Sequence, residues 1–212
     1  MSPAAEEYPP PPIPERLSAK ALREALPSCR ACDLWEPATQ AVMGEGAAHA
    51  RVMLVGEQPG DREDREGHPF VGPAGRVLAE GLEKAGIARE DVYISNVVKH
   101  FRYKLRGKRR IHQTPDRWHV SACLPWLEAE LTVVEPQALV LLGATAGQAL
   151  LGSWLRIGRD RGQPLDSALA DLVTVTTHPS AILRQRDETE RAQAMEGFVA
   201  DLEGVAAWIT SH

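Results

Sequence analysis

The chain has 212 residues, of which 43% are apolar and 25% charged, the make-up of one ordinary globular domain. No run of about 18 apolar residues occurs, which excludes a hydrophobic membrane-spanning helix, and the opening MSPAAEEYPPPPIP does not read as a secretory signal. A formal charge of -5 offers no overall attraction to a polyanion, and three cysteines point to reducing, cytoplasmic surroundings in preference to a disulfide framework.

Six prolines among the first 14 residues predict a disordered or polyproline-type tail over 1–14, with 15–212 forming a single domain. Residues 15–25 read as a helix. From Arg51 onward short apolar runs alternate with helical stretches. The runs at 51–55, 92–98, 138–143 and 172–177 predict buried strands. Helices are expected at 75–84, about 116–131 and 145–151, with Pro125 kinking or dividing the second. Met195, Phe198, Val199, Leu202, Val205, Ala206 and Ile209 form the core-facing stripe of a closing helix. The alternation predicts a three-layer α/β/α sandwich around a central, mainly parallel four-stranded sheet. In such sheets ligands bind beyond the carboxyl ends of the strands.

Charge is unevenly distributed. Residues 99–112, KHFRYKLRGKRRIH, hold seven of the 24 Lys and Arg with no acid among them, leaving 17 basic against 29 acidic residues elsewhere. A cationic loop on an acidic body suits an anionic partner docking in one place, such as a nucleic acid backbone. Phe101 and Tyr103 lie between the charges and could stack on a base or pack within the loop.

Each strand is followed by polar residues. Gly56-Glu57-Gln58-Pro59-Gly60-Asp61 makes a tight turn that is neither a P-loop nor a dinucleotide fingerprint. Gly67-His68-Pro69-Phe70-Val71-Gly72-Pro73-Ala74-Gly75-Arg76 sets an aromatic on a glycine-punctuated loop. Asn96 ends the second strand, and Thr177-His178-Pro179-Ser180-Ala181-Ile182-Leu183-Arg184 follows the fourth. Cys29-x-x-Cys32 has a metal-type spacing, and Cys123 is the remaining cysteine.

GEQPGD, HPFVGPAGR, SNVVKH and HPSAILR, in this order, resemble motifs of the uracil-DNA glycosylase superfamily, and of its iron–sulfur branch in particular. The likeness spans about residues 27–205. Lys108-Arg109-Arg110-Ile111-His112 resembles the insertion of the X-type glycosylases, which become covalently attached to uracil-containing DNA through the loop histidine.

The resemblance implies a [4Fe-4S] cluster on Cys29, Cys32, His100 and Cys123, with His100 where relatives carry a fourth cysteine. A zinc ion on the same residues, or plain buried thiols, remain open. It also implies that Gly56, Gln58, Gly60, Asp61, Phe70 and Asn96 bind substrate: Phe70 stacks on uracil, Asn96 reads its O4 and N3–H, and Gln58 bonds the base partly through its backbone amide. His178 donates to O2, where charge grows as the bond breaks. His112, activated by Glu57, attacks the sugar. Lys108, Arg109, Arg110, Ser180 and Arg184 hold DNA, single- or double-stranded. The expected protein is a cytoplasmic monomer, nucleoid-associated when bound to DNA. A turnover glycosylase using water, or a DNA-binding module without activity, are the alternatives.

Overall fold

A computed structural model describes residues 7–212. Residues 1–6 of the expected tail lie outside the described residues. Tyr8 lies against Trp118, with ring centroids 5.6 Å apart, and Ile13 packs on a hydrophobic core.

The elements are helix α1 (Ala19–Ala25), strands β1 (Glu45–Gly46) and β2 (Val52–Gly56), helices α2 (Asp61–Glu66) and α3 (Pro73–Lys84), and strand β3 (Val92–Asn96). A hairpin of β4 (Tyr103–Arg106) and β5 (Arg109–His112) leads to α4 (Arg117–Val134), β6 (Ala138–Leu142), α5 (Ala144–Leu151) and α6 (Ile157–Asp160). The chain closes with β7 (Leu172–Thr176), α7 (Pro179–Leu183) and α8 (Glu188–Ser211). No described helix is long and apolar enough to cross a membrane.

The main sheet has the order β1-β3-β2-β6-β7. β3, β2, β6 and β7 run parallel, and β1 pairs antiparallel with β3 through Glu45↔Ile94 and Gly46↔Tyr93. There are thus five strands where four were expected. A two-residue strand carries no apolar run, so only its partner defines it.

Every residue of the four parallel strands is buried, as a sheet covered on both faces requires. Because side chains alternate along a strand, these runs feed two separate cores. Met53, Val55, Leu139, Leu141, Val173 and Val175 meet Leu22 of α1 and Trp126 and Leu127 of α4. Val52, Leu54, Ile94, Val140 and Leu142 meet Leu78 of α3 and Phe198 and Leu202 of α8. Fully burying each such Leu or Phe stabilises the fold by about 1.5–3 kcal/mol.

Two expectations change. Pro125 does not divide its helix, which runs unbroken from Arg117 to Val134; the fully buried Trp126 and Leu127 hold the segment after it against the core. The basic segment, read as a loop, is a β-hairpin. Its two-residue turn starts at Gly107 with φ 62°, a conformation that glycine adopts without strain. Charge masked the short strands on either side.

Candidate active site

The carboxyl ends of the parallel strands open onto a cleft of about 1030 Å³. Parallel register sets Gly56 beside Asn96. The pairing continues past both strands, with the Val97 N–H donating to the Gly56 carbonyl at 2.9 Å and Val98 N–H to Glu57 at 3.0 Å. Asn96 is only 3% exposed, and its Oδ1 has no hydrogen-bond partner among the described residues. A buried acceptor left this way costs about 1–3 kcal/mol, which a ligand N–H would offset.

Glycine at 56 is a matter of space: a Cβ there would meet Asn96 Oδ1 at 2.5 Å and Phe70 Cζ at 2.7 Å. Phe70 itself has φ 55°, a left-handed backbone that costs a non-glycine residue roughly 1–3 kcal/mol. Its carbonyl crowds the start of α3, where a Cβ on Gly75 would lie 1.6 Å from the Phe70 oxygen. The strained backbone holds the Phe70 ring over the cleft, 6.1 Å from that of His178.

Glu57 is held from two sides. Its Oε2 accepts the Thr145 hydroxyl at 2.5 Å, and its Oε1 lies 3.3 Å from His112 Nε2. His112 sits half exposed at the rim. Burial lowers its pKa from the ordinary 6.5, Arg184 adds to this, and the Glu57 carboxylate opposes it. Burial, then Arg184 and His112, push His178 down to about 4. The Ser180 N–H donates to His178 Nδ1 at 3.1 Å, so the neutral ring carries its proton on Nε2. The Ser180 hydroxyl in turn accepts Arg184 Nη1 at 3.0 Å.

Glu57, Gln58, Phe70, Asn96, His112 and His178 therefore meet at one cleft, together with Gly60, Asp61, Ser180 and Arg184. Several expectations need adjustment. The Gln58 side chain clamps the base of the hairpin, donating to the Gln113 carbonyl at 3.0 Å and accepting Arg102 N–H at 2.9 Å; only its backbone is left for a base. Arg110 is an internal latch. Its guanidinium pairs with Asp61, reaches Asp64 Oδ2 at 2.6 Å and lies 5.0 Å from the Tyr103 ring centroid. Asp61 accordingly anchors the hairpin as it lines the cleft. Lys99, counted with the cationic patch, is entirely buried, and Arg102 pairs with Asp116 at 2.7 Å. Lys104, Arg106, Lys108 and Arg109 are the exposed cations of the hairpin.

Cys29, Cys32 and Cys123 are free thiols buried in one core, away from the cleft lining. Trp126 Nε1 donates to Cys29 Sγ at 3.3 Å and Lys99 N–H to Cys123 Sγ at 3.2 Å. His100 follows Lys99 directly and is 5% exposed, with burial lowering its pKa to about 4. Burial pushes Cys32 up to about 11 and Cys123 up to about 12, so these sulfurs ionise only beside compensating positive charge. Three soft sulfurs, two of them already approached by N–H donors, and a neutral imidazole suit an iron–sulfur group chemically. No three His, Cys, Asp or Glu side chains among the described residues converge to hold a single metal ion.

A sequence profile of the Uracil DNA glycosylase superfamily matches residues 43–203, and the chain belongs to that superfamily. It is 40% identical over 174 residues to a Type-4 uracil-DNA glycosylase of Thermotoga maritima, covering 82% of this chain and 87% of the relative. A Type-4 uracil-DNA glycosylase of Pyrobaculum aerophilum is 36% identical over 184 residues, 82% of this chain and 90% of its own. For one of Archaeoglobus fulgidus the identity is 34% over 191 residues, covering 87% and 89%.

Sequence reasoning did not single out Thr145, whose hydroxyl orients Glu57. It missed Asp64, wholly buried beneath Arg110, and the buried Lys99–Glu130 pair. Glu128 and Glu130 both interrupt the apolar pattern of that helix, so the pattern did not single out Glu130.

Proposed function

We propose that this protein excises uracil from DNA and then retains the abasic sugar covalently on His112, as the likeness of Lys108–His112 to the X-type insertion implies. The observation that carries this reading is Glu57, aligned by Thr145 and 3.3 Å from the His112 imidazole at the mouth of the cleft. A base flipped out of the stack would enter beneath Phe70. The orphaned Asn96 Oδ1 accepts uracil N3–H and the amide N–H₂ donates to O4. His178 Nε2–H donates to O2 as the C1′–N1 bond breaks and its electron pair leaves with uracil. The imidazole lone pair of His112 then bonds to C1′, and the ring proton passes to Glu57. Gly56, Gly60 and the Gln58 backbone shape the base pocket, while Ser180 and Arg184 hold the DNA backbone beside it.

A denaturing gel with a uracil-containing oligonucleotide tests this in one lane. A shifted band is expected. Alkali-sensitive strand breaks without a shift would indicate turnover with water, and neither would indicate binding alone.

The exposed hairpin cations are the proposed electrostatic contact. Replacing Lys108 and Arg109 together by Ala should flatten log affinity against log salt by up to about two units. An unchanged slope would turn the hairpin tip away from DNA. Arg110→Ala should instead disturb His112, because its charge is already met by Asp61 and Asp64.

Cys29, Cys32, His100 and Cys123 are the proposed ligands of a [4Fe-4S] cluster. A cluster takes each ligand on a separate iron, whereas zinc needs all of them to converge on one ion. When bound, it staples the Cys29–Cys32 segment to the chain after β3 and to α4, a structural role. Protein prepared without oxygen should be brown, with broad visible absorption and about four irons per chain. Stoichiometric zinc without iron would refute this.

A further inference from the structure

Lys99 and Glu130 form an ion pair with no exposed side-chain surface on either partner. The ammonium uses all three of its donors: Glu130 Oε2 at 2.5 Å, Ser95 Oγ at 2.8 Å and the Asn96 main-chain carbonyl at 2.7 Å. Glu130 also accepts Gly44 N–H at 2.8 Å, the Tyr93 hydroxyl at 3.2 Å and the Ser95 hydroxyl at 2.6 Å. The main chain of Lys99 is tied as well, donating to Cys123 Sγ and accepting from Val42 N–H at 2.8 Å. Stability alone is a poor reason for such a pair, since apolar residues of similar volume often serve a core equally well.

What the pair holds is the end of β3. The ammonium folds back onto the carbonyl of Asn96, whose side chain lines the cleft. The next two residues carry the amides that bind the carbonyls of Gly56 and Glu57. We propose that Lys99, fixed by Glu130, is a positioning residue for the cleft: it sets the main chain from Asn96 to Val98, and thereby the placement of both the Asn96 amide and the Glu57 carboxylate. The inference rests on the uracil reading above and adds a residue that touches neither the base nor the sugar.

The test is the double variant Lys99→Met with Glu130→Gln. Met keeps the length and bulk of the lysine stem. Gln retains an oxygen for Gly44 and Tyr93, so the network loses chiefly its hold on Asn96. Uracil release is followed in single turnover over a range of protein concentrations, beside the thermal midpoint, the visible absorption and the affinity for uracil-free duplex. The saturating rate should fall about 10- to 100-fold, as expected for a reacting group displaced by about an ångström. The half-saturating concentration, uracil-free affinity and absorption should stay at parental values. A variant with the parental saturating rate would overturn the inference. So would a loss of rate matched by equal losses of folded protein and of uracil-free DNA binding, which would make the pair a support of the fold alone. A parent protein that releases no uracil would overturn the uracil reading and this inference with it, an outcome distinct from an active parent and an equally active variant.

Discussion

His112→Ala protein mixed with uracil-containing DNA should give no denaturant-resistant complex, where the parent gives a 1:1 band. The variant removes the imidazole beside Glu57 and leaves Asn96, Phe70 and His178 in place, so uracil release itself should persist. The space vacated at the rim admits water, and slow turnover is the expected residue of activity. Capture by the parent should also depend on pH in a defined direction. Only the neutral imidazole carries a lone pair for C1′. Burial lowers the His112 pKa below 6.5 despite the opposing Glu57 carboxylate, so half-protonation of the imidazole falls on the acid side of 6.5. Capture should therefore fall as the solution is made acid, with its midpoint below pH 6.5. A midpoint above 6.5 would contradict the buried setting, and a covalent complex undiminished in His112→Ala would move the nucleophile elsewhere.

Asn96→Asp should lower single-turnover uracil release by roughly 5- to 150-fold, the range set by leaving one buried polar group unpaired at about 1–3 kcal/mol. The upper part of that range is expected. Asn96 is 3% exposed with its Oδ1 close beside Gly56, so a carboxylate there is poorly solvated and faces uracil O4 as acceptor against acceptor. The N3–H contact survives, which keeps the loss finite. Cytosine offers its own amino donor where uracil has O4, so any residual cytosine release should rise relative to uracil. Parental uracil release by the variant would remove Asn96 as the reading residue.

Much of the site was legible because the chemistry follows the strands. Glu57, Asn96 and His178 each stand just after or at the end of an apolar run, and a parallel sheet delivers all its carboxyl ends to one rim. The roles of Gln58, Asp61 and Arg110 were not legible. A latch such as Arg110 with Asp61 and the buried Asp64 spans 49 and 46 residues of sequence, and in sequence Arg110 looks the same as a surface cation. Lys99 failed for the same reason. It sits in a run of charges, yet the bends that follow β3 turn it inward onto Glu130.

The sequence by itself determined the alternation of buried strands and helices, the parallel sheet, and the polar residues at its rim, because those depend on side-chain period and on local turns. Tertiary structure alone decided the fifth strand, the unbroken helix through Pro125, the hairpin within the basic segment, and which of seven clustered cations face solvent. Each depends on a partner distant in the chain: β3 for β1, the core for α4, and buried carboxylates for Lys99 and Arg110. A charge is free or paired according to what the fold brings to it, and local sequence carries no record of that.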